Sequence, residues 1–233
     1  MRIPANLSII RPYDPLLALV PGAKPGMIHD GVGNLYNGKK GVLFIPAAYR
    51  RRNLQWNYQE GIVKDWGNDP TILHLLGTPN SAGEYCAENG RIIPTAEYRG
   101  LMLLNDCLDC EDSVTVTLQL SGVDFDLARL LNTKIASLVG RLKGNILTAP
   151  IFYRSYRLSV VWEERFNRPS LPAWQISEGP FLSSLDFDGL TYEGQPVDCT
   201  RHGVLANGHP LYFAARKLRQ DTLKEWEEAT AEK

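Results

Sequence analysis

The chain has 233 residues, 44% of them hydrophobic and 22% charged, with a formal net charge of −1. That composition fits one globular domain with elaborated ends and excludes disorder as the general state, because apolar content is ordinary and self-repulsion is small. It excludes a histone-like polycation, but not a nucleic-acid binder whose positive charge is local.

The longest apolar runs, Gly41–Ala48 and Leu101–Leu104, fall far short of the roughly 18 residues of a membrane span. The opening Met1-Arg2-Ile3-Pro4 lacks the continuous hydrophobic stretch of a secretory signal. With only 4 cysteines in a chain of this length, a reducing compartment is expected rather than a disulfide scaffold. The 15 prolines and 20 glycines imply many turns and short elements.

Taken in chain order, residues 1–40 read as a loop-rich N-terminal wrap with short strands around Leu7–Ile10 and Leu16–Val20. Val42–Ile45, bounded by Gly41 and Pro46, reads as a buried strand. After the basic stretch Arg50-Arg51-Arg52, the alternation of Leu54, Trp56 and Tyr58 with Gln55, Asn57 and Gln59 predicts a second, half-buried strand. Residues 65–90 read as a long loop, and Ile92–Leu104 as one long or two broken strands. Val114–Leu120 is the cleanest strand, with apolar even positions and polar odd ones, and should pair with its predecessor as a hairpin.

A helix is expected next. Ser121 and Asp124 have the spacing of a capping box, and Leu127, Leu130, Leu131, Leu138 and Leu142 define its apolar face. A second hairpin follows, from Ile151–Trp162 and Trp174–Ser177 around a turn at 167–170. Residues 180–210 read as loops and short strands, and Leu211–Glu228 as a terminal helix with Ala215, Leu218, Thr222 and Trp226 in line.

This order predicts a β-rich α+β fold: an OB-fold-like antiparallel barrel with one inserted helix, long loops and a C-terminal helix. The alternative is an unrelated β-rich α+β domain. The barrel core is placed at 41–180 and a C-terminal extension at 181–233, within one domain overall.

Two basic–aromatic segments carry the strongest chemical signal: Tyr49–Tyr58, and Phe152–Trp162 continuing past a turn to Trp174. Single-stranded nucleic acid is held by cations along its phosphates and by aromatic faces on which bases stack, and arginine suits both tasks. The competing reading is that strand aromatics are core and an arginine run is a solvated edge. Parity divides the second segment. Phe152, Tyr156, Leu158, Val160 and Trp162 fall on a core face, whereas Tyr153, Ser155 and Arg157 fall on an open one. The candidate contacts are Arg50, Arg51, Arg52 and Trp56, with Tyr153, Arg154 and Arg157.

Cys107 and Cys110 form a C-x2-C pair, and Cys199 and His202 a C-x2-H pair, together the ligand count of a structural zinc site. Their wide separation favours ordinary reduced cysteines, so no metal or other cofactor is expected. His29-Asp30 has the form of a base with its orienting carboxylate, but a loop turn is the simpler reading. The chain has no G-x-S-x-G, no P-loop and no dinucleotide fingerprint. Asp124 and Asp126 suit the positive end of a helix dipole, and Glu225–Glu228 a solvated helix face.

In their order along the chain, Gly22–Ile28, Val42–Tyr49 followed by Trp56, Pro94–Tyr98, and the Ile151–Trp162 strand with Trp174 resemble a group of small tailed-bacteriophage proteins associated with single-stranded DNA binding. The resemblance covers roughly residues 3–180 and includes no catalytic signature. It implies a non-enzymatic replication or recombination accessory protein, acting in the cytoplasm of the infected host, with single-stranded DNA as partner, no membrane, and a homo-oligomer as one option. Many phage single-strand binders end in a long acidic tail; here the chain ends in a short mixed-charge helix, Leu223–Lys233, which leaves tail-mediated recruitment without its usual basis. A virion structural protein and a phage inhibitor of a host enzyme are the alternatives.

Overall fold

In the computed structural model the described residues are 5–57, 59–68, 70–80, 83–104, 113–141, 150–165, 168–178, 191–192, 195–196 and 210–231. The elements run β1 (Ala5–Ile9), α1 (Leu16–Leu19), β2 (Ile28–His29), β3 (Leu35–Tyr36), β4 (Val42–Asn57), β5 (Gly61–Asp65), α2 (Pro70–Leu75), β6 (Tyr85–Ala87), β7 (Gly90–Leu103) and β8 (Ser113–Ser121). They continue with α3 (Phe125–Arg141), β9 (Tyr156–Arg165), β10 (Arg168–Glu178), β11 (Thr191–Tyr192), β12 (Gln195–Pro196) and α4 (Pro210–Ala231), with short 3-10 turns at Gly122–Asp124 and Ile151–Tyr153.

The β-rich α+β class holds, but the strands do not close a barrel. The main sheet has the order β10-β9-β4-β7-β8-β1-β2-β3, with β5 added to β4 and β6 to β7, and it forms a curled, open half-barrel. Neighbours are antiparallel except β1 and β8, which are parallel. The curl is visible in the packing. Leu7, Ile9 and Ile28, near one end of the sheet, share a core with Trp174 and Ile176 of β10 at the other. Residues expected in an N-terminal wrap therefore join the main core.

β4 departs from the two strands expected. It is one strand of 16 residues, passing through Pro46 at a bulge between Pro46 and Ala48 opposite Gly100 and Arg99 of β7. A bulge is where a strand accommodates proline, which cannot donate to the ladder. Gly100 is required there. A side chain at this position would run into the Phe44 ring and the Ile45 carbonyl.

Both faces of the β4–β7 pair are covered. Val42, Phe44, Ala96, Tyr98 and Met102 face the inside of the curl. Leu43, Ile45, Ala47, Leu101 and Leu103 face the other way, onto Phe152 and onto Leu211 and Ala215 of α4. Two-sided burial explains why Val42–Ala48 is buried without alternation.

The expected β7–β8 hairpin forms, with Leu103 opposite Ser113, and so does β9–β10. Leu16–Leu19 is a single helical turn rather than a strand, held by Asp14 accepting from the Leu16 N–H at 3.0 Å. The capping box does not form either. Ser121 is extended and makes no side-chain cap, and the Asp124 carboxylate accepts from Arg11 Nη2 at 2.5 Å. The helix starts after that turn, at Phe125, and buries Ala128 and Leu131 with Ile135 packed behind them. Of the predicted face, Leu127 and Leu131 pack on the core, whereas Leu130 is 45% exposed.

This difference is testable by urea denaturation. Leu131→Ala empties a fully buried site and should cost about 2–5 kcal/mol. Leu130→Ala, at the surface, should stay under about 1 kcal/mol. Equal losses would contradict the packing described.

Candidate functional site

The arginine run lies within β4, and strand alternation divides it. Arg50 and Arg52 stand opposite Glu97 and Thr95 of β7, while Arg51 stands opposite Ala96 on the other face. Glu97 is 3% exposed and accepts from Arg50 Nη2 at 2.9 and 3.1 Å and from Arg52 Nη1 at 2.7 Å. Arg52 also donates to Asp65 of β5, at 2.9 and 3.1 Å.

The network extends to the C-terminal helix. Arg99 of β7 donates to Glu225 at 2.6 and 3.2 Å, and the Arg50 guanidinium carbon sits 4.3 Å from the centre of the Trp226 ring. Burial pulls Arg50 below its ordinary pKa despite the attraction of Glu97. At Arg52 burial acts in the same direction, but the bonds to Glu97 and Asp65 outweigh it and the group lies above its ordinary value. Arg50, Arg52 and Arg99 are thus matched by Glu97, Asp65 and Glu225. The cluster expected to neutralise phosphate is neutralised by the protein itself.

The other predicted contacts are scattered. Arg51 is exposed, its guanidinium carbon 5.2 Å from the centre of the Phe125 ring at the mouth of the curl. Trp56 is 41% exposed, in an arm formed by β5, β4, β7 and β6. There Ile62, Trp56, Arg91 and Cys86 stand opposite one another in a row, and Arg91 pairs with Glu84 at 2.7 Å. Arg157 is half-buried and donates to the Lys40 carbonyl at 2.9 Å.

Tyr153 and Arg154 correct the expectation. They are 9% and 1% exposed; Tyr153 ends a 3-10 turn that packs against β4 and α4, and Arg154 follows it directly. Neither offers a surface to a strand of nucleic acid. The parity rule failed because Ile151–Tyr153 is not extended.

Trp162 was missed for the opposite reason. It follows Tyr156, Leu158 and Val160 in period, but it lies beyond the point where the sheet is covered and is 53% exposed. It borders a groove with Lys24, Met27, Asn37 and Lys39. Only the end of the strand, not its alternation, signalled this.

His29-Asp30 is a structural turn. His29 Nδ1 accepts from the Gly31 N–H at 3.0 Å. Asp30 accepts from the N–H groups of Val32 and Asn34 at 3.0 Å, the Asn34 amide at 2.6 Å and the Tyr36 hydroxyl at 3.2 Å. Burial acts to raise the Asp30 pKa, yet these bonds hold it below its ordinary value. Burial and the charge of Asp30 push Tyr36 up to about 12. Among the described residues no group of three or more His, Cys, Asp or Glu could hold a metal ion. Cys107, Cys110, Cys199 and His202 lie outside the described residues. Among the described residues, no helix is long and apolar enough to cross a membrane.

Two outcomes follow from the network. Replacing both Arg50 and Arg52 by alanine strands the Glu97 carboxylate and should destabilise the fold by about 3–5 kcal/mol. Adding Glu97→Gln should recover part of that loss in urea melts; no recovery would show that Glu97 is not what the arginines neutralise.

The second concerns pH. Hydrogen bonds from Arg99, opposed by burial, hold the Glu225 carboxyl below its ordinary value of 4.5. A carboxyl depressed in the folded state adds stability above its unfolded pKa and loses it as pH falls through the folded one. The melting-temperature gap between the native chain and Glu225→Gln should therefore be constant above pH 4.5 and narrow below it. A gap that does not change with pH would contradict the Arg99–Glu225 bond.

No curated protein and no solved structure matches the chain. A family model does match it, over residues 3–182, and its description is that of Pam3 phage gp34-like proteins. The span takes in the whole curled sheet from β1 to β10 and stops short of α4. The phage resemblance read from the residues is thereby supported, and the chain belongs to the Pam3 phage gp34-like family.

Proposed function

We propose that the protein is a non-enzymatic, sequence-independent single-stranded DNA-binding protein of a bacteriophage, serving replication or recombination, with the open sheet acting as an OB-like half-barrel. One observation carries this reading. The curled sheet presents a solvent-exposed tryptophan at either end of β4: Trp56 in the arm, and Trp162 beside the Lys24 and Lys39 side chains. Stacking on such rings is tolerant of sequence, because every base has a π-face, and nearby cations hold the phosphates. Arg51, exposed at the mouth of the curl, adds a further cation. Arg50 and Arg52 take a structural role in this reading.

A virion structural protein is the second reading. The observation favouring it is the edge strand β5, where Ile62 is 52% and Val63 39% exposed next to Trp56, an apolar edge suited to pairing with another chain.

Titrating oligo(dT) while following tryptophan fluorescence separates the two. The binder reading expects saturable quenching, an affinity that falls with salt, and a log–log salt slope smaller by about 1 in Arg51→Ala. Unchanged fluorescence, together with concentration-dependent assembly abolished by Ile62→Lys, would overturn it in favour of the virion reading.

A further inference from the structure

The groove beside Trp162 is built from rigid parts. One wall is the turn at 22–27, closed by the Met27 N–H donating to the Lys24 carbonyl at 3.1 Å and tied down by the Gly26 N–H donating to Ile10 at 2.8 Å. The other is the turn at 37–41. There Asn37 accepts the Gly41 N–H on its carbonyl at 2.9 Å and the Lys40 N–H on its side chain at 3.0 Å. The Gly38 carbonyl accepts from the Val160 N–H at 2.8 Å, which fixes this turn to β9.

Trp162 forms the end of the groove. A Cβ at Gly26 would lie 3.3 Å from Cζ2 and 3.5 Å from Nε1 of the indole. The ring therefore leans on bare backbone along that edge while 53% of the residue stays open to solvent. Gly26 also has φ +85°, a conformation that itself favours glycine. Lys24 and Lys39 are both exposed and project from the opposing turns. The space is about 690 Å³, within the roughly 300–1,000 Å³ of small-molecule sites.

Two acids follow Trp162 along β9. Glu163, next along β9, lines a different cavity, with Asp124, Asp126 and Trp174. By alternation Glu164 follows Trp162 on the same face and bounds the cationic region on that side.

We infer that this groove is a binding site for one phosphorylated nucleoside unit, with the base on the open face of Trp162 and the phosphate between Lys24 and Lys39. A preorganised half-open indole supplies the stacking surface with little conformational entropy to lose. The lysines act as point charges, which suits a phosphate that can be approached from several directions. The choice of ligand rests on the single-strand reading, whereas the groove itself does not.

The test uses the full chain with three probes: 5′-dTMP, thymidine and oligo(dT). The native chain should show saturable quenching by 5′-dTMP and weaker binding of thymidine. Lys24→Ala/Lys39→Ala, exposed changes that leave the fold intact, should erase that preference. Trp162→Leu should weaken both by about tenfold or more, with an unchanged melting temperature confirming that the fold survives. Absence of 5′-dTMP binding, or binding untouched by both variants, would overturn the site. If oligo(dT) binds all chains equally, the groove assignment fails and the single-strand reading stands. If 5′-dTMP binds in the groove but oligo(dT) binds no better, the site stands and the single-strand reading fails.

Discussion

The pairing of β4 with β7 is the constraint on which the rest of the structure depends. Thirteen Cα partners run from Leu43↔Leu103 to Trp56↔Arg91, and both faces of the pair are covered, one by the curl and α3, the other by α4. A strand pair buried on both sides ordinarily excludes charge. This one carries Arg50, Arg52, Glu97 and Arg99 near its middle because each finds an opposite charge within hydrogen-bonding distance. The arrangement also fixes register. A slip by one residue would turn Arg51 toward Glu97 and move Arg50 and Arg52 to the inside of the curl.

The same network decides how the molecule looks to a polyanion. The sequence places three consecutive arginines in a chain of near-zero net charge, which suggests a local positive patch. Folding brings Glu97, Asp65 and Glu225 to Arg50, Arg52 and Arg99 from strands and a helix distant in sequence, so two of the three consecutive arginines are paired within the protein. Attraction toward phosphate then falls to small exposed groups, Arg51 on one side and Lys24 with Lys39 on another. Such a surface holds its ligand by local contacts rather than by a continuous electrostatic groove.

The C-terminal helix has a structural part beyond its solvated face. The family match ends at residue 182, yet Leu211 and Ala215 cover Ile45, Leu101 and Leu103 on the outer side of the sheet. Toward the other end of the helix, Trp226 lies against Arg50 and Glu225 holds Arg99. Acidic residues near a helix C-terminus are unfavourable for its dipole, so this end of α4 depends on the arginines beneath it.

What the sequence by itself determined is whatever is set by neighbours along the chain. The alternation of Val114–Leu120 is enough for a half-buried strand, since only period two keeps Val116, Leu118 and Leu120 on one face. The β7–β8 and β9–β10 hairpins, and a terminal helix burying Ala215, Thr222 and Trp226, follow from equally local patterns. Pro46 concealed the unity of β4, because a bulge set by the partner strand absorbs it. Ser121 makes no side-chain cap, the Asp124 carboxylate is taken by the distant Arg11, and the helix starts at Phe125. Tertiary structure alone decided which charged and aromatic residues remain open. Tyr153 and Arg154 are buried at a turn that strand parity could not anticipate, Trp162 is exposed because the covered part of the sheet ends before it, and Arg50 and Arg52 are neutralised by partners 13 to 47 residues away. Exposure and charge balance are properties of what packs on a residue, and a local pattern does not contain that information.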